Sequence, residues 1–184
     1  MTQFRKSKRR AASLLEIIIG LPIVLILLLA VVQFGLLQSN QQTLKMASRA
    51  GALVAAELDI NGSETQPDAD IIAAIDEVLR HGGILDFNES IATVGRVQLN
   101  YSVSYFDGTN TNLHMGEIFI PSQGRCDPPP TIYPNYHYVQ VTICLPATRL
   151  APNAMACFGV DFSGRDAIMT SLYRHERSRI NFVP

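Results

Sequence analysis

Apolar residues are concentrated in one run near the start of the chain. Ile17–Leu37 holds twenty-one residues without a formal charge. At about 1.5 Å of rise per residue, a helix of this length crosses the ~30 Å hydrocarbon layer of a bilayer. Core helices of globular proteins rarely contain such a run, and a signal peptide has a shorter apolar region of about 7–15 residues. The pattern therefore predicts a transmembrane helix over residues 12–37, with a kink at Gly20 and Pro22.

The helical pattern continues beyond the apolar run. A stripe of small and apolar residues follows steps of three and four, as one face of a helix does. The stripe comprises Leu44, Ala47, Gly51, Val54 and Leu58. We therefore expect residues 38–58 to continue the same helix outside the membrane, with an apolar face that another element must cover.

A shorter helix is predicted after a loop. Asp59–Asp70 combines Gly, Pro, Asn and Ser, which favours a loop. Apolar residues then recur at helical spacing between Ile71 and Leu79, with Asp68 or Asp70 available as an N-cap and Gly82 and Gly83 as the stop.

Strand patterns occupy the rest of the chain. Apolar and polar residues alternate in four segments, and a proline-rich loop precedes the third of them. These segments are Val97–Phe106, Leu113–Ile120, Tyr136–Leu145 and Asp166–His175. The sum is an α+β fold, in which a long N-terminal helix packs on a small antiparallel sheet of three or four strands, with one extra short helix. Residues 59–184 form the outer domain.

Charge is distributed unevenly along the chain and predicts the orientation. Five basic residues precede the apolar run, whereas ten basic and fifteen acidic residues follow Leu37. By the positive-inside rule, the basic leader of residues 1–11 stays in the cytoplasm and the outer domain lies in the periplasm or beyond a cell surface. An acidic body gives no electrostatic reason to bind nucleic acid.

Three cysteines lie beyond the apolar run, where an oxidising compartment would allow a disulfide. Cys126, Cys144 and Cys157 permit three single pairings with one thiol left over, and three buried free thiols remain the alternative. No cysteine or histidine spacing matches a zinc site. No motif of a hydrolase, a metalloprotease or a nucleotide-binding loop is present, so we predict no catalytic residues and no cofactor.

Glu16 stands directly before the apolar run. A carboxylate at the centre of a bilayer costs about 2.5–3.5 kcal/mol, and less near the edge. Glu16 could simply lie among the lipid headgroups beside Arg9 and Arg10. The alternative is that the carboxylate has a partner that a plain membrane anchor would not need.

The first fifty residues resemble a known family, the TadE-like (TadE/TadF) minor pseudopilins of the tight-adherence (Flp/Tad) pilus, a branch of the type IV pilus group. The end of the chain, from Asp166 to Glu176, also resembles the C-terminal strand of that family. Family members usually have an acid where Gln33 stands, and a glycine where Ala11 stands. The residues that carry the resemblance are Ala11, Ala12, Ser13, Glu16, Pro22, Gln33, Phe34 and Gly35.

The resemblance implies a processing step and an assembly role. A prepilin peptidase would cut between Ala11 and Ala12, which makes Glu16 the fifth residue of the mature chain. The Glu16 carboxylate would then neutralise the new amine of Ala12 on the same or a neighbouring subunit. The protein would be a non-enzymatic pseudopilin of the inner membrane that helps initiate, prime or cap a pilus used in adhesion or biofilm formation. Its partners would be other pilins and the inner-membrane assembly platform. A single-span anchored periplasmic binding or sensor module is the alternative function.

Overall fold

A computed structural model describes residues 3–57, 67–106, 111–120, 126, 138–153, 156 and 159–174. In the first helix, side chains are described from Glu16 onward.

One helix accounts for almost the first third of the chain. α1 spans Gln3–Glu57, 55 residues with Pro22 inside it. At about 1.5 Å per residue it is about 80 Å long, which is far more than a bilayer requires. The prediction that the apolar run and the stripe beyond it form one rod is correct.

The second helix ends as predicted but begins earlier. α2 spans Pro67–His81. Because it starts at Pro67, neither Asp68 nor Asp70 is the N-cap, which corrects the sequence prediction; proline is favoured in the first helical position. At the other end, the Ile84 amide bonds to the Leu79 carbonyl and the Gly83 amide to the Arg80 carbonyl. This is a Schellman motif, and Gly83 has the positive φ of 70° that it requires.

Four strands form one antiparallel sheet. They are β1 (Arg96–Phe106), β2 (Thr111–Ile120), β3 (Tyr138–Pro146) and β4 (Asp166–Arg174). Their order in the sheet is β2-β1-β3-β4. Single-turn helices α3 (Ile91–Val94) and α4 (Ala147–Leu150) precede β1 and follow β3. The predicted α+β architecture is confirmed. The short helices α3 and α4 were not predicted, because four residues are too few to show a helical pattern in the sequence.

One face of the sheet builds the core together with α1 and α2. Val97 and Leu99 of β1 lie opposite Ile143 and Val141 of β3, and all four are buried. The helices add apolar side chains from one face of α1 and from the buried side of α2, and a fully buried leucine or isoleucine among them contributes about 1.5–3 kcal/mol. These are Leu44, Ala47, Ala52 and Ala55 from α1, and Ile71, Ile75 and Leu79 from α2.

The opposite face of the sheet is polar, yet it is also buried. β3 is buried along its length from Tyr138 to Leu145, so its alternation of residue types does not mark a solvent-facing side. On this face the side chains of Asn100, Ser102 and Gln140 have buried polar atoms without a hydrogen-bond partner among the described residues. A hydrogen bond between the hydroxyls of Thr142 and Thr170 crosses to β4. Cys144 has the same side-chain parity as Gln140 and Thr142, and its disulfide therefore lies on this polar face.

Candidate functional site

The apolar half of α1 is an exposed hydrophobic surface. Its large apolar side chains from Ile17 to Leu36 are between 43% and 73% exposed, except Ile26, which is half-buried. Within the described residues, α1 is the one helix that is long and apolar enough to cross a membrane. A contiguous apolar surface of this size needs lipid or other helices around it.

Glu16 lies at the start of this surface, exposed on α1. The backbone of Ala11 and Ala12 belongs to the same helix. Residues four apart lie one turn apart on the same face, with about 5–6 Å between their Cβ atoms. Ala12 and Glu16 are such a pair, so an amine at Ala12 would lie within reach of the Glu16 carboxylate.

Gly20 and Pro22 do not interrupt α1. The helix continues through both residues, and Pro22 is exposed on its surface. Nothing lies within 4 Å of a Cβ built on Gly20. The absence of a side chain there therefore serves no close contact with the residues that the structure describes, and the predicted kink remains a prediction.

Gln33 is the exception among the exposed residues of the span. Its side chain is only 2% exposed, whereas Val32 and Phe34 on either side are more than half exposed. Neither amide atom of Gln33 has a hydrogen-bond partner in the described structure. From the sequence this residue stood out only through the family resemblance, because a lone glutamine in an apolar run carries no pattern of its own.

The outer half of α1 is fixed to the folded domain at three levels. Asn40 donates a hydrogen bond of 2.5 Å from Nδ2 to the Leu150 carbonyl. Further along the helix, the Ser48 and Ser171 hydroxyls bond to each other at 2.7 Å in a buried position. Beyond them, Gly51 lies against Ile75 of α2 and Val141 of β3. The membrane-length segment and the outer domain are thus joined by one continuous and firmly docked helix.

A disulfide joins Cys126 to Cys144, with 5.9 Å between their Cα atoms. It fits the prediction of one disulfide among three cysteines, whose pairing the sequence left open. Both residues are buried, and they enclose the connection between β2 and β3. Cys157 lies outside the described residues.

The loop before β4 is held by Asp161. Its carboxylate accepts hydrogen bonds from the Ser163 hydroxyl and amide and from Asn153 Nδ2. These bonds favour the ionised form and lower the pKa of Asp161 to about 2, with Arg165 adding to the effect. The turn is exposed and local, and it orders the entry into β4.

No group of three or more histidine, cysteine or acidic side chains capable of holding a metal occurs in the described parts of the chain. The ring of His81 bonds to the carbonyl of Glu77 one turn before it. The side chains of His114, His137 and His175 lie outside the described residues.

Comparison with known families finds one match. The family model described as TadE-like protein matches residues 11–53, the segment that contains Glu16, the apolar span and the docked outer half of α1 as far as Gly51. No curated protein and no solved structure matches the chain. The resemblance derived from the sequence is thus confirmed over this segment.

Proposed function

Taking the TadE-like match over residues 11–53 as the premise, we propose that this protein is a minor pseudopilin that helps initiate, prime or cap a Tad/Flp pilus. Its role is structural rather than enzymatic. Its partners are other pilins and pseudopilins, the prepilin peptidase and the inner-membrane assembly platform.

The observation that carries this proposal is the placement of Glu16. A carboxylate stands one helical turn from Ala12, at the edge of an apolar surface that extends for twenty-one residues. Peptidase cleavage between Ala11 and Ala12 would create an amine at that turn. Two opposite charges that pair in a low-dielectric surrounding neutralise each other, and the helix can then pack among other apolar helices.

The proposed orientation follows from the basic leader. Five positive charges before the apolar run keep residues 1–11 in the cytoplasm. Residues 12–37 cross the inner membrane, residues 38–58 extend the helix beyond it, and residues 59–184 form a periplasmic domain. The disulfide between Cys126 and Cys144 agrees with an oxidising compartment.

A substitution at Glu16 tests the assembly role. If the carboxylate pairs with the mature amine, Glu16→Gln removes one partner of a buried ion pair, which costs about 3–5 kcal/mol. We expect the variant to reach the membrane at a normal level but to stop pilus formation, because the outer domain is built from residues far from this position. The readout is the surface pilus yield, alongside an immunoblot of the membrane fraction.

Two control variants sharpen the Glu16 experiment. Glu57→Gln removes an exposed carboxylate from the far end of the same helix and should leave pili unchanged. Glu16→Asp retains the charge and should restore at least part of the yield. Normal pili in the Gln variant would show that Glu16 merely lies among the headgroups.

A periplasmic binding or sensor module is the second candidate. It is favoured by the buried polar atoms of Asn100, Ser102 and Gln140, which have no partner in the described structure. Such groups cost about 1–3 kcal/mol each when unpaired, so a polar ligand could compensate them. Leader cleavage and copurification with pilus assembly proteins distinguish the pseudopilin from a plain anchored module.

A further inference from the structure

Among the residues that the structure describes, β4 is an edge strand without the usual protection of an edge. It pairs with β3 on one side, and no further strand follows it in the described sheet. Its nine residues contain no proline and no lysine, and its charged residues stand only at its ends. Natural proteins usually blunt an edge with short strands, lysine, proline or a covering element, because free backbone groups attract further strands. β4 is longer than the typical strand of about 5–6 residues.

The outer half of α1 borders this edge. Ser48 meets Ser171 of β4, while Gly51 and Thr43 face α2 and the turn after it. α2 contacts α3, and α3 packs on β1 and β3, so α2 lies on the β1 side of α1. The opposite flank of α1, on the side away from α2, therefore lies next to the free edge of β4.

Two cations stand on that flank. With about 100° between successive residues, Lys45 and Arg49 lie roughly 60° and 100° around the helix from Ser48, on the side away from Thr43. Both are exposed, and neither forms an ion pair with a residue that the structure describes. Like charges four residues apart on a helix repel each other, so the pair is unfavourable unless an acidic group lies beside it.

The spacing of the two cations matches an added strand. Asn40 contacts the carbonyl of Leu150, shortly after β3 ends, and Ser48 contacts Ser171 further along β4, so α1 runs along β4. One helical turn from Lys45 to Arg49 is about 6 Å, and two residues of a strand span about 6.6 Å. Alternate side chains of a strand next to β4 would therefore meet the two cations in turn.

The other face of such a strand would meet apolar groups. Leu172 is 51% exposed on the face of β4 opposite to Ser171, and Ile168 has the same parity. A strand that pairs with β4 would cover both. The complementary sequence thus alternates acidic residues, which face α1, with apolar residues, which face Ile168 and Leu172.

We propose that the free edge of β4 and the adjacent Lys45–Arg49 flank of α1 form a docking groove for an extended acidic segment of another protein, which binds as a fifth strand of the sheet. Backbone hydrogen bonds to β4 supply the pairing, and the two cations select the acidic partner. The inference does not depend on the proposed pilus role, because the groove is described by contacts within this chain alone.

Binding of a synthetic peptide to the full chain in neutral detergent micelles tests the groove. The probe is a labelled nine-residue peptide that alternates glutamate and valine, and its binding is followed by fluorescence anisotropy. We expect saturable binding that weakens in 0.5 M salt. A peptide with lysine in place of glutamate, and one with two central prolines, should not bind, because the first reverses the charge and the second cannot pair with a strand.

Matched variants locate the binding site. The double variant Lys45→Gln/Arg49→Gln should lower the affinity for the peptide about tenfold, as expected for the loss of two exposed ion pairs. Ala73→Glu with Phe87→Glu changes the net charge equally at exposed positions on and after α2, and it should leave binding unchanged. All four positions are exposed, so the thermal unfolding of both variants should resemble that of the parent.

A photoreactive residue at the centre of the peptide gives an independent readout on the unaltered protein. Crosslinks to Asp166–Arg174 and to residues 45–53 support the proposal. Crosslinks to β2 would overturn it, as would equal binding of the lysine peptide or an unchanged affinity in the Lys45–Arg49 variant. Self-association of the full chain through the same residues would identify a second copy as the occupant and would also overturn it.

Discussion

Gly51 marks a close approach of α1 to α2 and β3. A Cβ built on it would lie 2.7 Å from Cγ1 and 2.8 Å from Cδ1 of Ile75, and 3.5 Å from Cγ1 of Val141. In the sequence Gly51 appears only as one member of a stripe of small residues. The stripe predicts that something packs closely there, but the identity of that neighbour depends on how α2 returns over the helix.

Filling this contact should destabilise the outer domain. We expect Gly51→Val to cost about 1–3 kcal/mol, because the valine must displace Ile75 in a packed core. For a chain of this size that is a fall of several degrees in Tm, at about 2–4 °C per kcal/mol. Circular dichroism of the full chain in micelles measures it.

A matched control places the same residue on the outer side of the same helix. Met46 is 60% exposed, so Met46→Val should change the stability by less than about 0.5 kcal/mol. If the Gly51→Val variant had the same Tm as this control, that result would contradict the close contact at Gly51.

At the scale of elements, the docking of α1 on β4 combines apolar contacts with one buried polar pair. Ser48 and Ser171 are 0% and 9% exposed, and their hydroxyls bond to each other. Ser48 also donates to the Lys45 carbonyl in its own helix at 3.0 Å. Two serines 123 positions apart carry no signal in the sequence, so only the tertiary structure identifies this pair.

The serine pair predicts non-additive mutational effects. Ser48→Ala should cost about 1–3 kcal/mol, because it leaves the Ser171 hydroxyl buried without its partner. Ser171→Ala should have a similar effect for the same reason. The double variant should cost less than the sum by about 0.5 kcal/mol or more, since no hydroxyl is then stranded. Thermal unfolding of all four proteins measures the coupling, and strictly additive effects would argue against the bond.

At the scale of the whole molecule, the disulfide ties the connection between β2 and β3 to the polar face of the sheet. Its cysteines are 18 residues apart. Closing a loop of this size typically stabilises a fold by about 2–4 kcal/mol.

Replacing both disulfide cysteines with serine should therefore lower the Tm of the outer domain by several degrees. In the unaltered protein, thiol labelling under denaturing and non-reducing conditions should find one free thiol, that of Cys157. Three labelled thiols in protein isolated from its native membrane would contradict the pairing.

Orientation is the second property at this scale. The basic leader predicts that a reporter enzyme fused after Pro184 is active only when it reaches the periplasm. A fusion to the N-terminus of the chain is the matched control and should report the cytoplasm. Activity of the C-terminal fusion in the cytoplasm would reverse the proposed topology.

The sequence by itself determined the longer elements and their types. The apolar run, the stripe on α1 and the alternation in the four strands predicted the long helix and the sheet, because periods of 3.6 and 2 residues are local properties of the chain. The start of α2 was misplaced because Asp68 and Asp70 are both acceptable caps and only the observed helix shows that Pro67 precedes them. The residues that matched the TadE-like family could also be recognised from the sequence, since they lie within one continuous segment.

The tertiary structure alone decided which elements and residues are in contact. The order β2-β1-β3-β4, the burial of both faces of β3, and the pairing of Cys126 with Cys144 depend on contacts between residues distant in the chain. Alternation predicts that a strand has two faces, but it does not say whether the polar face meets water or protein. The free edge of β4 beside Lys45 and Arg49 has the same origin, because neither segment specifies its neighbour until the helix lies on the sheet.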